Sequence, residues 1–392
     1  MKHYSEIVEL IESVCATVPI DKRDPITKAL KGPLWKDTEQ APKILEIIKN
    51  ETSFEIFDNH LQELGFSSII VTIDQLIDWI IQKSYIVGPK QAINYLIDYV
   101  KSDSVEVDFV ELIIETLAEN EFEFCNGVKL TSPHNLRNSY YANLFVSESY
   151  YSRTPLPKIS MVLIKPYNQP IHHFKSDGSA SKFLKTEPPR EDLNDVMLCL
   201  SLARQPEYGV FSVAQTTIAP DKYPFIHSCS GYNLKAFKIP KLQSSILNIE
   251  MNIANNILEK FIQLPPDFKS HLKIPLGKLN DFGSSMDSIG QAIDLRICLE
   301  AIFLNDGNKE QLSYRLALRA ALFLADDLTD RQRIFKQIKD TYDLTSSAVH
   351  NGKFSKKADF SLLEKSAILA KQAIVKLINH GQINWEELEL KN

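Results

Sequence analysis

Between residues 286 and 380 the apolar side chains recur every three to four positions in four successive stretches, separated by Asp306-Gly307-Asn308, Thr329-Asp330 and Asn351-Gly352. A 3.6-residue period puts the apolar residues of each stretch on one helical face, and the intervening residues favour turns and caps. Such faces must be buried against one another, and short connections make neighbours antiparallel. Four helices at roughly 286–304, 310–325, 330–350 and 359–380 are therefore expected to form a small bundle, with a short tail carrying Trp385.

The third of these helices carries the most chemistry. Ile334, Ile338, Tyr342, the methyl of Thr345 and Val349 make its core stripe. Gly352 follows the last of them, and a glycine there can take the left-handed conformation that caps a helix C-terminus. His350 then sits beside unpaired carbonyls at the negative end of the helix dipole, which favours its protonated form. A histidine so placed suits acid/base chemistry, and spacing alone fits a merely capping histidine better.

From Ile289 to about His380 the chain resembles the ApeA-like HEPN family, a four-helix RNase module of prokaryotic antiviral and toxin systems. The matching residues are Ala292-Ile293-Asp294-Leu295 with Glu300-Ala301 on the first helix, Leu312-Ser313-Tyr314-Arg315-Leu316-Ala317-Leu318-Arg319-Ala320-Ala321 on the second, and Tyr342-Asp343-Leu344 with Val349-His350 and Gly352 on the third. They occur in the family's order and cover about the last quarter of the chain. One departure stands out: the family has arginine five residues before the histidine, and this chain has Thr345.

The resemblance implies a metal-independent endoribonuclease of abortive infection. His350 would take the proton of a ribose 2′-hydroxyl, which attacks the adjacent phosphate and leaves a 2′,3′-cyclic phosphate and a 5′-hydroxyl; a general base of this kind contributes ~10²–10⁴-fold. Thr345 has no charge with which to stabilise that phosphate, a loss worth ~10²–10³ in rate. Arg315 and Arg319, one turn apart on the second helix, are the nearest substitutes, although solvation or pairing with Asp294 or Glu300 is the commoner fate of such a pair. Ser346, four residues before His350, can orient the imidazole or hold phosphate. Tyr342 can stack on a base or fill the core, and the core is the commoner role. Asp294 can orient His350 or an arginine across the bundle, whereas an Arg296–Glu300 pair is the usual outcome for that helix. With Arg315 and Arg319, Asn351 and Lys353 complete the candidate RNA contacts.

Upstream, residues 1–120 read as a mostly helical, acidic region, with Ile7, Val8, Ile11, Val14 and Cys15 on one stripe and Phe109 or Val110, Ile113 and Leu117 on another. Residues 121–282 read as a mixed α/β domain with a linker. Asn126-Gly127 suits a two-residue hairpin turn between Phe122–Cys125 and Val128–Leu130. Ile159–Ile164 and Tyr208–Ile218 read as strands, and Pro155, Pro157, Pro166, Pro170, Pro188, Pro189 and Pro220 read as loop punctuation. Glu191–Ala203 is ambiguous: Leu193, Met197 and Leu200 fit a helix, but the segment is short. Ile246, Ile249, Ile253, Ile257 and Phe261 define another, and 264–285, with its glycines and prolines, reads as a linker into the final domain, residues 283–392. His172-His173 with Asp177 reads as a loop, because adjacent histidines rarely chelate one ion. The expected class is α+β: helical N-terminal region, central β-containing domain and C-terminal HEPN-type four-helix bundle.

A hydrophobic fraction of 44% and a charged fraction of 24% allow several cores and exclude a disordered chain. The richest apolar run, Ser68–Ile81, is broken by Asp74 and Asp78, so no membrane association is expected. Met1-Lys2-His3-Tyr4-Ser5-Glu6 contains no signal-peptide core, and a cytoplasmic location is expected. Five cysteines, none in a Cys-x-x-Cys pair, point to free thiols rather than to disulfides or zinc, and neither metal nor cofactor is expected. The net charge of −6 supplies no overall basic footprint, so RNA would be held locally. The resemblance implies tRNA or another structured RNA as substrate and a homodimer through the C-terminal bundle. The remaining chain would restrain the nuclease or sense a phage-encoded protein trigger. Two other readings stand beside it: a catalytically inactive HEPN module for dimerisation or RNA binding, and a helical adaptor whose acidic N-terminal region meets a basic protein.

Overall fold

The computed structural model describes residues 3–23, 25–58, 60–64, 67–136, 159–174, 187–223, 233–234, 238, 244–285, 287–305, 310–351, 353–354 and 359–391. The chain is α+β, helices at both ends enclosing an antiparallel sheet. Helix α1 (Tyr4–Thr17) buries Ile7, Ile11 and Val14, the stripe expected from spacing. Helices α2 (Pro25–Lys31), α3 (Ala41–Asn50), α4 (Ile73–Val87) and α5 (Pro89–Lys101) follow. A capping box opens α4: Gln75 N donates to Thr72 Oγ1 at 3.3 Å, and Thr72 N donates to Gln75 Oε1 at 2.9 Å. Gly88, at φ +85°, separates α4 from α5, where Pro89 takes the first helical position.

Among the described residues four strands interrupt the region expected to be mostly helical: β1 (His60–Leu64), β2 (Ser67–Val71), β3 (Ser104–Ile114) and the short β4 (Thr116–Ala118). The correction at β3 has a clear cause. From Val107 to Ile114 every residue is buried, so the strand is apolar on both faces apart from Asp108 and Glu111. A continuous apolar run contains three- and four-residue spacings by necessity, and Phe109, Val110 and Ile113 supplied a false helical stripe.

Beyond β4, strand β5 (Phe122–Glu123) pairs with β6 (Lys129–Thr131), and Phe124 N donates to Val128 O at 2.8 Å, so the hairpin closes on the three residues Cys125-Asn126-Gly127 rather than on the expected two; of these only Gly127 takes a positive φ, +79°. The long strand β7 (Ile159–Phe174) runs beside β3 for most of its length and meets β6 and β1 on its other edge. With β8 (Ser212–Ile218) and β9 (Asn233–Leu234) the order is β2-β1-β7-β3-β8-β9. Pro166 and Pro170 lie inside β7 and not in loops. They fall between Ile164, where pairing with β6 ends, and Ile171, where pairing with β1 begins, so one edge asks no strand hydrogen bond of them. His172 and His173 belong to the same strand, opposite Glu63 and Gln62, which corrects the loop reading; Asp177, Pro155 and Pro157 lie outside the described residues. A separate parallel pair joins β4 to β10 (Ser244–Ile246).

Helix α6 (Arg190–Ala203) is buried without a break from Asp195 to Ala203, because it packs on β7 and is also covered by α7 (Asn248–Phe261) and α8 (Pro266–Phe282). In α7 the inward face is Met251, Ala254, Ile257, Leu258 and Phe261, whereas Ile249 is 65% exposed. The isoleucine row was misleading because steps of four overshoot a turn by about 40°, and Ile249 drifts away from the face that holds Phe261. Helix α8 replaces the expected linker. Pro266 suits its first position, Pro275 is itself buried, and Phe268, Leu272, Leu276, Leu279 and Phe282 keep a helical period through it. Burial of that face outweighs the hydrogen bond Pro275 removes.

The last helices are α9 (Ser288–Phe303), α10 (Leu312–Leu324), α11 (Leu328–Asn351), α12 (Ser361–His380) and α13 (Trp385–Lys391). Helix α9 packs against α8, α11 and α12, and α10 packs against α11, α12 and α13. One hydrophobic core runs from Phe109 on the sheet through α6–α8 to Trp385. The joint is specific: Val210 N donates to Asn280 Oδ1 and Asn280 Nδ2 donates to Val210 O, both at 2.9 Å, so a helix side chain pairs with the lead-in to β8 as a strand would. At Gly283 a Cβ would meet Gly209 N at 2.7 Å and Pro206 O at 2.8 Å, so only glycine allows this approach.

Candidate functional site

Helix α11 runs through Tyr342, Thr345, Ser346 and His350 to Asn351. His350 thus occupies the last helical turn, as its spacing required; the side chains of His350 and Asn351, and the whole of Gly352, lie outside the described residues. Lys353 is exposed just beyond. Ser346, one turn before His350, is half-buried.

Thr345 faces inward. It is 1% exposed, and its Oγ1 donates to the carbonyl of Tyr342 at 3.0 Å. Ile338, Tyr342 and Ala348 are buried on the same helix, so this side of α11 belongs to the core. A side chain at position 345 cannot reach solvent without leaving that packing.

Tyr342 is also buried, and its hydroxyl accepts from Arg296 Nη2 at 2.9 Å. The Arg296 guanidinium lies 4.4 Å from the centre of the Tyr342 ring, and Arg296 Nε donates to Glu300 Oε1 at 2.9 Å. Burial holds the Tyr342 phenol above its ordinary pKa, with Glu300 adding to the rise and Arg296 opposing it. Arg296 Nη1 is buried with no hydrogen-bond partner. Sequence reasoning paired Arg296 with Glu300 by their i,i+4 spacing but missed Tyr342, 46 residues further on, because only packing of α9 against α11 joins them.

The other candidates separate. Arg319 is 1% exposed on α10; its Nε donates to Glu389 Oε1 at 2.5 Å, its Nη1 donates to Phe303 O at 2.6 Å, and its guanidinium lies 5.9 Å from the Trp385 ring centre. It holds α13 and the end of α9 to α10. Arg315, one turn earlier, is half-exposed. Asp294 points to α8, where it accepts from Lys278 Nζ and from Ser285 Oγ, both at 3.0 Å. The structure brings Tyr342, Thr345, Ser346 and the His350 backbone onto one helix and places Arg296 beside them, while Arg319 and Asp294 are spent on structural contacts. Among the described residues no three His, Cys, Asp or Glu side chains cluster so as to hold a metal ion, and no helix is long and apolar enough to cross a membrane.

Comparison of the chain with protein-family models, with curated proteins and with solved structures finds no match in any of the three.

Proposed function

We propose that the C-terminal helices form a HEPN-type four-helix bundle that binds RNA and pairs with a second copy, as an assembly or sensing module of abortive-infection defence rather than as a strong nuclease. The burial of Thr345 carries this reading. The position at which the family resemblance calls for arginine is turned into the core, with its hydroxyl used by Tyr342 O. Arg319 is held by Glu389 and Phe303, so it supports the fold rather than a phosphate. Pairing draws support from Ile293, Ile297 and Val349, large apolar side chains exposed on α9 and α11, which two copies would cover together.

One observation favours a second reading, the metal-independent endoribonuclease. His350 stands in the last turn of α11, where the family resemblance puts its general base. Incubation of labelled tRNA and unstructured RNA with the wild-type chain and with His350→Ala, in excess chelator, separates the two. Binding without cleavage in both proteins is the expected result. Cleavage that yields 2′,3′-cyclic phosphate ends and disappears in His350→Ala would replace the binding module with the nuclease.

A further inference from the structure

At the edge of its core stripe α11 carries a second row, which shares buried Tyr342 with that stripe and takes in Val349, expected in the core but 44% exposed. Phe335, Lys339, Tyr342, Ser346 and Val349 follow one another at steps of four and three and so form one row, about 21 Å long from first to last. Tyr314 of α10 packs on the first of them, with ring centres 5.5 Å apart and planes at 72°, yet it remains 49% exposed. Lys339, exposed on the next turn, makes no ion pair among the described residues. Tyr342 follows with the Arg296 guanidinium on its ring, then half-buried Ser346 and exposed Val349, and the row ends beside the helix terminus and Lys353. Aromatic and cationic groups thus alternate along one line.

No member of the row is itself acidic. Glu300, which faces the row from α9, is committed to Arg296. Asp340 stands about 140° round α11 from the middle of the row, and exposed Asp343 lies one turn beyond Lys339, about 40° round the helix from it.

We infer that this row, from Tyr314 and Phe335 past Lys339 to Ser346, is a docking track for single-stranded RNA, with Tyr314 as its base-stacking platform and Lys339 as a phosphate contact. The inference rests on the RNA-binding reading above and adds the surface and the form of RNA. A half-exposed tyrosine held in place by a second aromatic ring suits an unstacked base, since every base has a π-face and stacking is sequence-tolerant. In a duplex the bases are stacked on one another, and the helix is recognised mainly by shape and backbone. A lone lysine one turn away suits the backbone of a base seated on the ring. Tyr314 was conspicuous in the sequence only as part of a helix; its partnership with Phe335 depends on α10 lying against α11.

The test uses the full chain and a short fluorescein-labelled RNA of mixed sequence, offered single-stranded and annealed to its complement, with single-stranded DNA alongside, followed by anisotropy over a range of salt. Single-stranded RNA should bind more tightly than the duplex. Tyr314→Ala should weaken that binding roughly 5- to 100-fold, whereas Tyr314→Phe, which keeps the ring, should bind nearly as wild type. Lys339→Gln should reduce the slope of log affinity against log salt by about 0.7. Thermal melting of each variant verifies the fold, which an exposed tyrosine and an exposed lysine should leave unchanged. Wild-type binding that survives both Tyr314→Ala and Lys339→Gln, or that prefers duplex, would overturn the track and leave the RNA-binding reading standing. Preference for DNA over RNA would overturn the assignment to RNA. A wild-type chain that binds no nucleic acid sinks both.

Discussion

The hydroxyl of Thr345 donates to the carbonyl of Tyr342, three residues back on the same helix, at 3.0 Å, and the pair sits inside the core rather than over a cleft. A threonine that satisfies its own hydroxyl on the preceding turn is well suited to a buried helical face. An arginine at the same place would have to bury a guanidinium or displace its neighbours.

Thr345→Arg is therefore expected to destabilise the chain by roughly 2–4 kcal/mol through overpacking and an unpaired buried charge, with no gain in RNA cleavage. Thr345→Val, which keeps the shape and loses only the local bond, should stay within about 1 kcal/mol of wild type. Urea unfolding and an RNA cleavage assay on both variants give the answer. A stable Thr345→Arg protein that cleaves RNA would show that this position can face a phosphate.

Arg296 and Tyr342 should be energetically coupled. The hydrogen bond at 2.9 Å and the stacked guanidinium at 4.4 Å are lost together whichever partner is changed. In a double-mutant cycle with Arg296→Met and Tyr342→Phe, a coupling of about 1–2 kcal/mol is expected from unfolding free energies. Additive single changes would mean that the two side chains act independently in solution.

The joint between the sheet and the helical layer predicts a third outcome. Asn280→Ala leaves both Val210 N and Val210 O without their buried partners, at a cost of roughly 2–4 kcal/mol for the two groups. Hydrogen exchange should show Val210 losing protection in this variant. Unchanged protection would mean that water or another group replaces the amide.

Asp78 supplies a pH prediction. Burial holds its carboxyl above the ordinary carboxylate pKa, with Lys28 opposing the shift, and Oδ1 has no hydrogen-bond partner. For a raised carboxyl the folded state binds the proton more tightly than the unfolded state, so this group's contribution to stability falls as pH rises from the unfolded to the folded value. Asp78→Asn should consequently be more stable than wild type at pH 7, and the difference should shrink toward zero as pH falls below about 4. Urea midpoints measured across that range decide it; a difference that grows on acidification would reverse the sign.

Pairing through α9 and α11 makes a fifth measurement informative. Ile297→Glu puts a charge on an apolar side chain that is already exposed in the single chain, so the monomer should remain folded while a dimer through this face dissociates. Light scattering should show a dimer for wild type and a monomer for the variant. A wild-type monomer at about tens of micromolar would count against the proposed pairing.

Wherever one periodic face was buried against one neighbour, the sequence alone determined the local structure. The helices that became α9 to α12, a hairpin at Asn126-Gly127, the stripe of α1 and the place of His350 in a last helical turn were legible from spacing, whereas Thr329-Asp330, expected as a turn, lies inside α11, whose first turn Asp327 caps. Burial on more than one side erased that signal. Strand β3 is apolar on both faces and mimicked a helix, α8 hid its period behind Pro275, and the isoleucine row of α7 drifted off the face that packing selected. The core place of Thr345 followed from the stripe of α11, although Val349, expected in the same stripe, is 44% exposed; only the tertiary structure decided that Arg319 is locked to Glu389 and that Arg296 and Tyr314 flank α11. A helical period states which residues share a face, but whether that face meets solvent, core or another helix is settled by contacts between residues far apart in the chain, and no local pattern encodes them.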